Sequence, residues 1–419
     1  MKIRDLTDFK QKAIQWAAAF DVYCCLDSNG YDDPYGQFDF VLAAGVKTCI
    51  MPDDGHCFTA LKNFYEIHKT WMFGLFSYDL KNETEHLSSG HADHLSFPQL
   101  FFFVPLHLIA VRNGEAEVLT DDTCVLLQID DVKLSEVRTA DIEVKSRISK
   151  SQYLETVRLL QEHIARGDIY EVNFCQEFFA EHALIDPLAL FNRLNQVSPT
   201  PFSGFFRIED KYILSASPER FLCKRGRRLL SQPIKGTAKR GSGREEDEAI
   251  KKGLREDLKE QTENVMIVDL VRNDLTRSAV KGSVRVDELF GIYPFPQVYQ
   301  MISTVSCELM EDIHLVEAIS NAFPMGSMTG APKVRAMQLI EQYEASRRGA
   351  YSGAFGYISP DGDFDFNVII RSILYAADRQ YLSFQVGGAI THASDAEAEY
   401  EECLLKASAM IRAIKADHS

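Results

Sequence analysis

Ile213-Leu214-Ser215-Ala216-Ser217-Pro218-Glu219-Arg220-Phe221-Leu222-Cys223 is followed, across a basic turn at Gly226, by Leu229-Leu230-Ser231-Gln232-Pro233-Ile234. Two apolar-rich runs joined at a glycine read as a hairpin, which is an antiparallel pairing. The second run leads directly into Lys235-Gly236-Thr237. Between Pro233 and Gly236 this lysine sits on backbone with little conformational freedom. Taken alone it reads as a solvated loop lysine. Within a site it is a nucleophile, provided its surroundings lower its pKa or a nearby base removes its proton.

Outward from the hairpin, Ile169 to Phe179 reads as a strand and Pro187 as a helix start. Further strands are expected near Val284, over Tyr299–Glu308, Gly353–Ile358, Val368–Tyr375 and Tyr381–Val386. Leu154, Val157, Leu160 and Ile164 recur at helical spacing between Ser151 and a stop at Gly167. One long charged helix is expected from about Arg244 to Val271, and a last one from Ser394, where Ser394 and Glu397 form a capping box. The first third holds turns at Asp27–Gly30 and Asp32–Gly36, strands over Phe38–Leu42 and Trp71–Leu80, and an exposed loop over Glu83–Ser96. Without strict βαβ alternation, the expectation is an α+β fold with largely antiparallel sheets. No internal repeat is visible.

The chain has 419 residues, enough for a large core or two packed cores, and 46% of them are hydrophobic. A net charge of −16 with no compensating basic block argues against nucleic-acid binding. Nine cysteines without C-x-x-C spacing fit reduced, mostly buried thiols. The N-terminus has no secretory h-region, and the apolar run at Phe101-Phe102-Phe103-Val104 ends at Pro105. A soluble, cytoplasmic chain with no membrane partner is expected.

Four glutamates stand out. Glu260 and Glu263 share one helix face; Glu399 and Glu402 repeat that spacing on the last helix, with Lys406 one turn on. Two such helices either present solvated acidic faces or enclose a hard divalent cation, for which oxygen-only ligands favour Mg²⁺. If the hairpin forms, Glu219 and Lys235 share a cavity, where Glu219 can give a proton to a leaving hydroxyl; otherwise Glu219 and Arg220 are an edge ion pair. Gly387-Gly388, and Gly326 to Gly330 with Thr329 before Pro332, let backbone N–H groups approach an anion. No nucleotide-binding glycine motif follows a strand, so that anion is a small carboxylate. Arg371 ends an apolar strand and needs a carboxylate partner; Tyr357 on the preceding strand either hydrogen-bonds nearby or fills the core.

Together these motifs resemble the chorismate-utilising enzymes, and within them the aminodeoxychorismate branch. The resemblance covers nearly the whole chain. It is carried by Gly167-Asp168-Ile169-Tyr170, Ser217-Pro218-Glu219-Arg220-Phe221, Glu263-Asn264-Val265-Met266-Ile267-Val268-Asp269-Leu270 with Arg272-Asn273-Asp274, Thr329-Gly330-Ala331-Pro332-Lys333 and the closing carboxylate helix. Tyr31-Asp32-Asp33-Pro34-Tyr35 and Gly74-Leu75-Phe76-Ser77-Tyr78-Asp79 look like the aminodeoxychorismate branch specifically. The resemblance implies two packed, largely antiparallel β-sheets flanked by helices, with residues 1–145 and 146–419 as regions of one intertwined unit. It implies Mg²⁺ on the ring carboxylate of chorismate, with Glu263 and Glu402 as direct ligands and Glu260 and Glu399 acting through water. Lys235 would attack C2 while Glu219 helps the C4 hydroxyl leave, and ammonia from a separate glutaminase subunit would then add at C4. Arg371, Tyr357, Lys406, Thr329, Gly330 and the Gly387-Gly388 backbone would hold substrate, and Ser283 would lie near the reacting atoms.

Three positions depart from the family pattern. Gln300 stands where most relatives have histidine, tied in anthranilate synthases to pyruvate elimination. Glu171 replaces a common glutamine, where isochorismate and salicylate synthases carry a water-activating lysine. Ala389 occupies a usual glycine position. Anthranilate synthase is the nearest rival, disfavoured by Lys235 and Gln300; a non-catalytic chorismate-binding module is the rival of another kind.

Overall fold

The hairpin forms, with Arg220–Arg225 and Arg228–Gln232 antiparallel and Cys223 opposite Leu230. The run before it does not continue as one strand. Pro218 has no N–H for a ladder, so Lys211–Ser217 ends there and pairs elsewhere, with Phe202–Ile208 and Ser372–Ala376. Arg220–Arg225 pairs instead with Arg228–Gln232 and Phe364–Asn367. The expected strand over Val368–Tyr375 is interrupted in the same way. Phe364–Asn367 and Ser372–Ala376 are separated by a crossover in which Arg371 takes φ +52°. The two crossovers lie side by side: Val368 N–H donates to Glu219 O at 3.0 Å, and Ala216 N–H to Arg371 O at 3.2 Å.

The computed structural model describes all residues except 54, 123, 135–141, 296–297 and 416–419. It has the expected α+β architecture, with 19 strands among the described residues linked into one antiparallel network. One half runs from Val298–Glu308 through the hairpin, Phe364–Asn367 and Ala354–Ile358 to Met72–Phe76. The other runs from Phe40–Ile50 through Val22–Asp27, Phe202–Ile208, Lys211–Ser217, Ser372–Ala376 and Tyr381–Ile390 to Glu171–Ala180. Leu100–Arg112 pairs with both halves and joins them. The two packed sheets are therefore two halves of one network.

Strand alternation sorts the side chains between cores. Cys24, Val41, Ala43 and Phe206 pack with Phe73, Phe102, Phe355 and Phe366 from the other half. Their neighbours Cys25, Phe40, Leu42 and Phe205 face the opposite way, in a second core with residues of the Lys150–Ala165 and Ala396–Ile414 helices. At about 25 cal/mol per Å² of apolar area removed from water, such burial dominates the stability of the fold.

Two local expectations change. The charged helix breaks at Asp257 into Arg244–Glu256 and Leu258–Thr276, because Asp257 accepts from the N–H groups of Lys259 and Glu260 and so starts a new helix. The last helix is capped by Asp395, not Ser394, whose Oγ accepts from Thr391 N–H. Arg220 is not paired with Glu219. Its buried guanidinium donates to both oxygens of Asp365 at 2.8 and 2.9 Å and is paired with Asp33, tying the Tyr31–Tyr35 motif to the sheet. Asp274 and Lys333, both from family motifs, form a buried ion pair at 2.9 Å. All nine cysteines are free thiols. Among the described residues no helix is long and apolar enough to cross a membrane.

Candidate active site

Lys235 lies in the strand Ile234–Lys239, which pairs with Val298–Glu308 through a register shift. Ile234 faces Ile302 and Thr237 faces Gln300, so Lys235 and Gly236 together oppose one residue, a bulge that re-aims a side chain. Gly236 takes φ +92°, and a Cβ there would meet Glu260 Oε2 at 3.1 Å and Met301 Cβ at 3.2 Å. Glycine thus provides both the bulge conformation and the approach of the Leu258–Thr276 helix. Lys235 is 9% exposed, and Nζ donates to Glu171 Oε1 at 2.8 Å. Burial pulls the lysine pKa down, but Glu171, Glu263 and Glu219 outweigh it, and Lys235 is held above its usual range. Of the two ways to make a lysine nucleophilic, the structure offers a neighbouring base, not a lowered pKa.

Glu219 and Arg371 come from the paired crossovers and meet Lys235 at one cavity of about 120 Å³. Glu219 is 4% exposed, and burial pushes its carboxyl up to about 7, against the opposing pull of Ser327, Lys235 and Arg371. A carboxyl neutral near pH 7 can donate a proton. Ser327 stands beside Glu219, but its Oγ has no well-formed hydrogen bond among the described residues. The Arg371 guanidinium makes no hydrogen bond or ion pair within the described residues. Burial lowers its pKa, while Tyr351, Glu402 and Glu219 favour its charge.

All four glutamates reach this cavity, two from each helix. Burial raises Glu263 to about 7, and its Oε1 is buried without a hydrogen-bond partner. Glu260 is raised by burial and by Glu402. Lysines hold the others: Lys406 pairs with Glu402 at 2.7 Å and depresses its pKa, and Lys259 lies 3.4 Å from Glu399 and 3.8 Å from Glu263. Among the described residues no three such side chains are grouped as a ready metal cluster. The donor set nonetheless fits a hard divalent cation. It is all carboxylate oxygen, one oxygen has no hydrogen-bond partner among the described residues, and burial raises two of the carboxyls.

Some predicted residues lie elsewhere. Tyr357 lines a separate cavity of about 490 Å³, packs on Phe38, Trp71 and Phe73, and accepts from Arg225 at 3.2 Å. That cavity is larger, but the charges lining it, buried Arg220 and half-buried Asp33 and Asp365, are already paired with one another. The tyrosine beside Arg371 is Tyr351. Ser283 closes a turn by exchanging hydrogen bonds with the Glu308 backbone and does not line the site. Thr329 donates to Gly326 O, and its carbonyl accepts from Asn173 N–H. Gly330 pairs with Val172, where a Cβ would sit 2.2 Å from Glu171 O. These two brace the Glu171 strand and do not line the cavity. Gly387 lines the cavity, and its carbonyl accepts from Lys406 at 2.9 Å; a Cβ on Gly388 would come within 3.1 Å of Glu399 Oε2. Sequence reasoning missed Tyr351, Ser327 and Lys259. Lys259 carried a signal, since it precedes Glu260 on the helix that also bears Glu263.

Residues 48–412 match the family described as chorismate binding enzyme. The chain belongs to the chorismate-binding enzyme family. It is an enzyme chain, similar to aminodeoxychorismate synthase component 1 of Escherichia coli K12, at 36% identity over 92% of each chain. It is also similar to anthranilate synthase component 1 of Thermus thermophilus, at 35% identity over 82% of this chain and 77% of that one. Its fold matches the crystal structure of anthranilate synthase component I from Streptococcus pneumoniae with TM-score 0.80 and 25% identity, covering 91% of this chain and 94% of the other. The menaquinone-specific isochorismate synthase MenF of Escherichia coli shares the fold at TM-score 0.76 and 17% identity, covering 96% of this chain and 91% of that one. Within this family, the site brings a lysine, an acid and four carboxylates to one cavity.

Proposed function

We propose that this enzyme aminates chorismate at C4 with ammonia, giving 4-amino-4-deoxychorismate on the way to 4-aminobenzoate and folate. The observation that carries the reading is Lys235 and the neutral-leaning Glu219 facing one cavity, in a chain whose 36%-identical relative is an aminodeoxychorismate synthase component 1. Lys235 forms a bond from Nζ to ring C2 as the C4–O bond breaks, and Glu219 gives its proton so that the hydroxyl leaves as water. Ammonia then adds at C4 and expels the lysine. Arg371, Lys406 and the Gly387-Gly388 backbone hold substrate carboxylates, a reading supported by an Arg371 guanidinium that is unpaired among the described residues. Glu263 and Glu402 would hold Mg²⁺ directly and Glu260 and Glu399 through water. Bound there, it would supply charge neutralisation and a template for the ring carboxylate. Gln300 lines the cavity with Oε1 unpaired; no histidine is offered there for pyruvate elimination, so the product keeps its enolpyruvyl group. Ammonia comes from a separate glutaminase subunit, in keeping with the component 1 names of the relatives.

Product identification after incubation with chorismate, Mg²⁺ and ammonium tests the reading. The expected product is an amino-substituted ring retaining enolpyruvate, convertible to 4-aminobenzoate by an added lyase. Fluorescent anthranilate would reject it in favour of the rival branch.

The cavity assignment separates two variants. Arg371→Ala is expected to raise KM for chorismate by about 10- to 100-fold, the loss of a charge-assisted contact of about 1.5–3 kcal/mol. Tyr357→Phe is expected to stay within about twofold, since its hydroxyl faces Arg225 in the other cavity. Steady-state kinetics on the two side by side decides; an equal rise in KM would place Tyr357 at the substrate after all.

A further inference from the structure

Glu171 is the nearest charged partner of Lys235 among the described residues. It is 1% exposed, its Oε1 accepts from Lys235 Nζ at 2.8 Å, and its Oε2 is buried with no hydrogen-bond partner in the described residues. No other carboxylate lies within 4 Å of Lys235 Nζ among those residues. The backbone that carries Glu171 is braced on both sides. Its strand, Glu171–Ala180, is paired along Tyr381–Ile390, and the close approach of Gly330 fixes its backbone from the other side. A buried carboxylate whose Oε1 already accepts the Nζ hydrogen bond can receive that proton along it.

We propose that Glu171 is a positioning residue that takes the proton of Lys235 and returns it, so that the lysine attacks as a free amine. The inference rests on Lys235 as the nucleophile. Nζ passes one proton to Glu171; the Nζ–C2 bond forms while the C4–O bond breaks, and Glu219 protonates the departing hydroxyl. When ammonia forms the C4–N bond and the C2–Nζ bond breaks, Glu171 returns its proton to Nζ. The new ammonium group reprotonates Glu219, and the sum is chorismate plus ammonia to aminodeoxychorismate plus water. A glutamine at this position can orient the lysine but cannot hold its proton. Lys235 is also faced by Glu219 from the crossover, by Glu260 and Glu263 from one helix and by Glu402 from the other, all of which favour the ammonium form. Among the described residues only Glu171 lies within ion-pair distance of Nζ.

The test compares Glu171→Gln, Glu171→Asp and Lys235→Ala with the double variant Glu171→Gln/Lys235→Ala, using chorismate, Mg²⁺ and free ammonium. Glu171→Gln is expected to lower kcat by about 100-fold, the usual range for a lost proton-transfer group, with KM within about threefold. The variant-to-parent ratio of kcat should climb from about pH 6 to pH 10, because the lysine must then shed its proton to water. Trace acylation of Lys235, read by mass spectrometry without substrate, should show its midpoint falling to lower pH in Glu171→Gln. Glu171→Asp should recover part of kcat. In the Lys235→Ala background the same substitution should cost less than about twofold, since Glu171 acts through the lysine. A pH-independent ratio, an unmoved acylation midpoint, or an equal loss in both backgrounds would overturn the proposal while leaving Lys235 essential. Full turnover by Lys235→Ala would instead remove the nucleophile reading, and this inference with it.

Discussion

Replacing Lys235 by alanine is expected to lower kcat with chorismate and ammonium by about 10³-fold, about 4 kcal/mol on the barrier. On the proposed mechanism the covalent step would disappear, leaving only direct attack by ammonia, helped by Glu219 and the groups proposed to hold the substrate carboxylates. The substitution also strands Glu171, buried with its ammonium gone. Losing one partner of a buried pair costs about 3–5 kcal/mol of stability, so the variant should melt below the parent. Adding Glu171→Gln should recover most of that stability without recovering turnover. Calorimetry and steady-state kinetics on the same preparations separate the two effects. Turnover equal to the parent's would exclude a nucleophilic Lys235.

The second large effect is carried by pH. Burial places the Glu219 carboxyl at about 7 against an ordinary 4.5, so it is a proton donor below neutrality and an empty carboxylate above. The kcat profile should therefore fall as pH rises through about 7. Glu219→Gln should lower kcat by about 10²- to 10³-fold and abolish that limb. Stability follows the same sign. The native carboxyl binds its proton more tightly than the unfolded one. Its stabilising contribution is full below about pH 4.5 and is lost as pH rises through about 7. A glutamine never ionises, so the melting temperature of Glu219→Gln should gain on the parent's as pH rises over that window. Parallel melting curves at every pH, or an alkaline limb that survives the substitution, would mean Glu219 is not the proton donor.

Both effects depend on a place in the molecule where sequence and structure contribute differently. Local chemistry was legible. The i, i+3 spacing of Glu260/Glu263 and Glu399/Glu402 puts each pair on one helix face whatever the helix packs against. The hairpin around Gly226 and the antiparallel character of the sheets follow from short-range signals. So does the helix over Lys150–Ala165, capped by Ser149 with Gln152. The split at Asp257 was present as a capping aspartate, but the charged, helix-favouring residues on both sides outweighed it in a linear reading.

The lateral arrangement was not legible. Tyr351 and Tyr357 are six residues apart in one apolar stretch, and only the pairing of Ala354–Ile358 with Met72–Phe76 and Phe364–Asn367 turns Tyr357 to the other cavity. Thr329 and Gly330 look like an anion loop by composition, yet they brace the strand that carries Glu171. The residue types proposed to do the chemistry, and their spacing along each helix and strand, were determined by the sequence alone. The meeting of Lys235, Glu171, Glu219 and Arg371 was decided by the tertiary structure. Two crossovers between the halves of the sheet network and one bulge bring together residues up to 200 positions apart. Side-chain periodicity reports which face a residue takes, whereas the partner of that face is set by the packing of the whole chain.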